Sequence, residues 1–203
     1  MLNRIGLIFS YNLDLGGLEN YFSFLTLKVG SGEMYTNPEK YPFMVTQYPP
    51  LYLHLTHWFS LGLNVLLKDD VRSVYIAGRI LNLCFNLAAI GVVYEFFRKS
   101  LRFEHKKAAI PALLIFTIFI EHAYAVRMDS LKMLLVVLFY IQGYQYFHKN
   151  STSTLLGLIV VGFLAMIAKQ DAAIHIGILG LLFFWYKKFG SAFKFGIPIA
   201  LLF

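Results

Sequence analysis

Apolar residues gather into runs at about 51–67, 74–97, 108–126, 131–147, 155–168, 172–186 and 191 onward, parted by short polar turns. A bilayer core takes about 20 apolar residues per helix, and lipid offers no partner for an unpaired backbone group, so the runs of spanning length are predicted to be helices. Ahead of the first run lies a long polar and aromatic stretch from Asp14 to Pro50, closed by Tyr48-Pro49-Pro50-Leu51-Tyr52. A connection of that length points to a catalytic or binding loop. The two prolines fix backbone φ, disfavour helix at Tyr48 and let a helix begin at the second proline, so the loop meets the first run at a set angle. The predicted fold is all-α: a polytopic transmembrane helix bundle whose external first loop carries juxtamembrane helices. It forms one transmembrane domain over 1–203. The closing run stops at Leu202-Phe203, short of a full span, so the chain reads as the amino-terminal portion of a longer membrane module.

Composition agrees. The 203 residues are 58% hydrophobic and 14% charged, with mean hydropathy +0.62, well below the roughly 25% charged residues of a soluble domain. The single Cys84 excludes an internal disulfide and reads as packing.

The formal charge of +7 is uneven along the chain. Arg98, Lys99, Arg102, Lys106, Lys107, Lys149, Lys187, Lys188 and Lys194 fall in alternate turns against only Glu95 and Glu104, which marks that side as cytoplasmic. The excess is a topological signal and does not imply nucleic-acid binding. Alternation then puts Arg127 to Ser130 and Lys169 to Asp171 outside. For the run 51–67 two placements compete: a span, which sends the Asp14 loop inside, or an interfacial helix, which keeps that loop on the outer face. His54, Thr56, His57 and Trp58 suit headgroup depth and favour the interfacial placement.

Asp14, Glu19, Arg79, Arg127, Asp129 and Lys169 are then the ionisable groups at or near helix ends on one face. Such groups at membrane depth are costly and usually face a cavity or a partner. Asp14, then Met34-Tyr35, Tyr48-Pro49-Pro50-Leu51-Tyr52, Arg79, Arg127-Met128-Asp129 and Ala168-Lys169-Gln170, in that order, resemble the amino-terminal half of a GT-C type membrane glycosyltransferase. The similarity is to the branch of protein O-mannosyltransferases and lipid A aminoarabinose transferases.

The resemblance implies a glycosyltransferase of the bacterial plasma membrane. It would move a sugar from a polyprenyl-phosphate donor to a glycan, lipid or protein acceptor on the external face. Asp14 would be the general base and Glu19 the substitute base, while Arg127, Lys169, Arg79 and Tyr48 would meet the donor phosphate, with Asp129 and Gln170 in support. Where some relatives carry a basic residue before the paired prolines, this chain has Tyr48. Plainer readings stand beside these: Asp14 as a solvated carboxylate, Glu19 tied to Lys28, Lys169 snorkelling to headgroups, and Arg127 with Asp129 as a loop ion pair. No cofactor beyond the lipid-linked donor is expected. His54, His57 and Glu121-His122 could ligate a divalent metal, but a lipid phosphate can be stabilised by Arg and Lys alone. His175 reads as a core histidine, and Phe183-Phe184-Trp185-Tyr186 as an interfacial aromatic belt. The rival class is a transporter or flippase for a lipid-linked or anionic substrate, its charged groups lining a pathway.

Overall fold

Asp69 closes the turn after the first apolar run and starts the longest helix, its Oδ1 accepting a hydrogen bond from the Arg72 N–H at 2.9 Å. The computed structural model describes residues 6–9, 18–34, 49–119 and 125–203, and is all-α with no strand among them. Its helices are α1 (Glu19–Gly30), α2 (Leu51–Leu67), α3 (Asp70–Glu95, continued by a π-helical turn Phe96–Ser100), α4 (His105–Phe119), α5 (Asp129–Lys149), α6 (Thr152–Ala168), α7 (Ala172–Trp185) and α8 (Phe189–Leu202). A 3-10 turn, Gly6–Phe9, lays Ile8 against Ile80 and Leu83 of α3.

Local chemistry sets most of the ends. Pro50 caps α2, and its carbonyl accepts the first bond of that helix from His54 N–H at 3.0 Å. Lys68 and Asn150 close α2 and α5 in the left-handed conformation, with φ of 52° and 48°, a geometry asparagine tolerates better than most residues. Ser151 begins α6 by accepting from Thr154 N–H at 3.3 Å.

From α3 onward the helices run alternately down and up. One end, called upper here, gathers the starts of α3, α5 and α7 and the end of α6. The other, lower end gathers the π turn, the ends of α5 and α7 and the starts of α4, α6 and α8. α2 folds back beside only the first part of α3: Tyr52 Oη donates to Gly78 O at 3.4 Å, and Asn64, three turns on, reaches Asp70. It therefore belongs to the upper end over its whole length. α1 packs against both α2 and α3 there, so the stretch from Asp14 to Pro50 holds a helix with Phe22 and Leu25 buried. One apolar core runs through the molecule from these residues to Phe139, Phe183 and Ile199.

Of the run expected at 108–126, α4 covers the residues to Phe119, while Ala125 and Val126 lie outside any helix; they and Met128 are buried, and Arg127 between them is half-buried. Their backbone is held instead by polar side chains of the first loop and of α3, described below.

Among the described helices one, Asp70–Ser100 at 31 residues, is long and apolar enough to cross a membrane. α6, α7 and α8 are apolar but only 17, 14 and 14 residues long, roughly 21–26 Å against a hydrocarbon core of about 30 Å. Leu156, Val160, Ile174, Ile178, Leu181, Phe193, Ile197 and Leu201 on these helices are exposed.

Candidate active site

Arg79, Asn82 and Asn86 sit at i, i+3 and i+7 on α3, one face of a helix that is otherwise apolar, and all are buried. Arg79 forms a two-pronged ion pair with Glu19 at the start of α1, Nε to Oε1 at 2.9 Å and Nη2 to Oε2 at 2.8 Å. Both side chains are 0% exposed. Glu19 Oε1 also accepts from the backbone N–H of Val126 at 2.8 Å. Asn82 Nδ2 donates to Ala125 O, and Asn86 Nδ2 donates to Ser130 Oγ at 2.9 Å. Three side chains of α3 thus fasten the segment that leads into α5. Gly78 allows the approach: a Cβ there would stand 2.6 Å from Val126 Cγ1. The guanidinium of Arg79 lies 5.4 Å from the Tyr75 ring, and Tyr75 Oη donates to Asn20 Oδ1, which docks α1 more firmly.

The fastened segment carries Arg127 and Asp129 to a second cluster. Asp129 Oδ1 accepts from Lys169 Nζ at 2.6 Å, and Lys132 Nζ donates to Asp171 Oδ2 at 2.9 Å. The cross pairs, Lys132 to Asp129 and Lys169 to Asp171, are each 3.8 Å. Two lysines and two aspartates therefore alternate where α5 and α7 begin and α6 ends. Burial of Asp129 favours its neutral form, yet the Lys169 hydrogen bond and the charges of Lys169, Lys132 and Arg127 outweigh that, holding the carboxyl below its ordinary range. Asp129 precedes the apolar run that begins near 131.

The sequence candidates fall into three groups. Arg127, Asp129 and Lys169 come together, with Gln170 exposed in the adjoining turn. Glu19 and Arg79 are engaged with each other, so neither is an open base or an open phosphate ligand, and Lys28 pairs with Glu33 instead of Glu19. Asp14 and Tyr48, with Glu121 and His122, lie outside the described residues. Sequence reasoning did not assign Lys132, Asp171, Asn82, Asn86 or Ser130. The signal was there for the asparagines, in their spacing from Arg79, and for Lys132, three residues after Asp129.

No family model, curated protein or solved structure matches this chain. The site must therefore be read from its own chemistry. Among the described residues no group of three or more His, Cys, Asp or Glu side chains is placed to hold a metal ion. His54 lies tilted against Trp58 with ring centroids 5.9 Å apart, and His57 lines a cavity of about 300 Å³ with Ser60, Asn64, Asp70 and Ser73 among others. His175 is half-buried, its Nδ1 3.2 Å from Tyr140 Oη.

Lys132 and Lys169 meet Asp129 and Asp171 here, and the charge of Arg127 also acts on Asp129. An anion arriving there competes with Asp129 and Asp171 for lysines already gathered at one place. Arginine and lysine supply it with directional and point-charge contacts respectively.

Proposed function

We propose that the protein is a multi-pass integral membrane glycosyltransferase that takes a sugar from a polyprenyl-phosphate donor and passes it to an acceptor on the external face. One observation carries the reading. Residues as distant in sequence as Glu19, Arg79, Arg127 and Lys169 gather at one end of the bundle, and the segment bearing Arg127 and Asp129 is tied down by α1 and α3. The outward-facing apolar side chains of α6, α7 and α8 support membrane embedding.

In this reading the acceptor hydroxyl attacks the anomeric carbon, the bond from that carbon to the phosphate oxygen breaks, and the electron pair leaves with the lipid phosphate. Asp14 takes the hydroxyl proton. Lys169 and Arg127 face the negative charge as it grows, the donor phosphate replacing Asp129 as the partner of Lys169. Charge placed in advance where it develops is usually the largest catalytic term. Glu19 and Arg79 act through others, as the strut that fixes Val126 and hence Arg127.

The test uses the full chain in proteoliposomes, with polyprenyl-phosphate sugar transfer and donor binding measured separately. Asp14→Asn is expected to cut transfer by about 10²- to 10⁴-fold with donor binding kept. Lys169→Ala is expected to weaken donor binding. Transfer unchanged in Asp14→Asn removes the base, and movement of lipid across the bilayer with no glycosidic bond formed replaces the enzyme with a flippase. Cysteines at positions 33 and 170, in a chain lacking Cys84, should label from one face and at position 150 from the other. Labelling of all three from one face would defeat the multi-pass topology.

A further inference from the structure

At the lower end, far from the Lys169 cluster, two cavities adjoin. A groove of about 460 Å³ runs between α5 and α7, lined by Tyr140, Gly143, Tyr144, Phe147, Leu179 and Leu182 among others, and is mostly apolar. It extends over residues 140–148 of α5, about 12 Å along the helix axis and close to the depth of one leaflet's hydrocarbon. A second cavity of about 420 Å³ opens where α5 ends and α8 begins, and is lined by His148, Asn150, Lys187, Lys188 and Lys194 with no carboxylate. Phe147 and His148 line both, so groove and pocket share a wall and lie side by side.

The lysines divide the work. Lys188 is committed to the fold: its Nζ donates to Phe147 O at 2.6 Å and stands 3.6 Å from the Phe147 ring centroid. Lys187 and Lys194 are exposed, and Lys187 is turned toward the pocket by a left-handed backbone, φ 56°. Gly190 leaves the floor open, since a Cβ there would meet nothing within 4 Å. Elsewhere at this end the bases Lys99 and Lys107 are matched by Glu95 and Glu104. This pocket gathers three lysines with no carboxylate in its lining, next to an apolar groove.

We propose that this composite site binds one anionic phospholipid, its headgroup phosphate between Lys187 and Lys194 and an acyl chain in the groove between α5 and α7. The inference rests on membrane embedding but not on sugar transfer, so it stands if the Lys169 cluster proves to have another role. Both halves of the ligand are specified: a soluble anion would leave the groove empty, and a neutral lipid would leave the lysines unmatched. The occupant is a lipid of the surrounding leaflet and not a free phosphate.

The test is native mass spectrometry of the full chain in a neutral detergent, titrated with dioleoyl phosphatidylglycerol or dioleoyl phosphatidylcholine. A basic residue near a membrane surface favours an anionic lipid by about fivefold, so the pair should give a preference of roughly thirtyfold. K187A/K194A should erase that preference, and Leu182→Trp, which fills the groove, should weaken both lipids. The double variant K106A/K107A, on α4 and outside both cavities, should keep it. Equal affinity for the two lipids overturns the proposal. So does equal loss of preference in K106A/K107A, which would mean a diffuse basic face, and so does displacement of the lipid by equimolar glycerol 3-phosphate, which would mean a site for free anions.

Discussion

Removing one partner of the Glu19–Arg79 pair should be among the most damaging single changes in the chain. Each side chain is fully buried, the two share two hydrogen bonds of 2.8–2.9 Å, and Glu19 also receives the Val126 N–H. Arg79→Met takes from the buried Glu19 carboxylate the two hydrogen bonds and the charge of Arg79, and Glu19→Met takes the same from the buried guanidinium. Either change costs about 3–5 kcal/mol. Met at 79 can still pack on the Tyr75 ring, so little of that cost is lost contact.

The double variant separates charge from packing. In E19M/R79M both charges of the pair are gone, and the Val126 N–H loses its acceptor at about 1–3 kcal/mol. The singles should therefore sum to roughly 6–10 kcal/mol while the double costs far less, a coupling of several kcal/mol. Denaturant unfolding of the four proteins in the same detergent, followed by helical circular dichroism, reads it. Singles within about 1 kcal/mol of the parent, or a double equal to the sum of the singles, would refute the reasoning, because either would mean that the two charges do not depend on each other.

Three further outcomes are expected. Asn82→Leu strips the Ala125 carbonyl of its donor and should cost about 1–3 kcal/mol, with proteolysis near Ala125 rising in step. Gly162→Ala puts a Cβ 2.5 Å from Ile199 Cδ1 and 3.0 Å from Phe139 Cε2, so these two buried side chains must shift within the core, at a cost of about 1–3 kcal/mol in the same unfolding assay. The carboxyl of Asp129 is held below its ordinary value of 3.8, so its contribution is complete at neutral pH and fades as pH falls below that value; stability titrated from pH 6 to 3 should drop more in the parent than in Asp129→Asn.

The helical framework was legible where a run is bounded by residues with a local reason to stop a helix. The run 51–67 became Leu51–Leu67 between Pro50 and Lys68, and 172–186 became Ala172–Trp185. α3 begins earlier than its apolar run because Asp69 caps a first turn made of charged residues. Helices were expected in the first loop, but the bounds of α1 were not readable, because its sequence mixes Glu19, Asn20, Ser23 and Thr26 with aromatics and its burial depends on α2 and α3 being in place. The non-helical end of the 108–126 run was equally hidden: Ala125 and Val126 are apolar in sequence, and their backbone is bound by polar side chains of α1 and α3. Of the site, the meeting of Arg127, Asp129 and Lys169 was readable from their places at helix ends. The closing of Glu19 on Arg79 was not, since 60 residues separate the two and no periodicity links them.

That separation bears on how the chain is made. Val126, which completes the bonding of Glu19, lies 107 positions downstream, about 5–20 seconds of synthesis at 5–20 residues per second. During that interval α1 has to wait beside a half-built partner. A nascent chain arrested before Val126 should hold α1 loosely, and one arrested well beyond it should hold α1 fast, so the moment of locking can be timed by protease nicking of stalled intermediates.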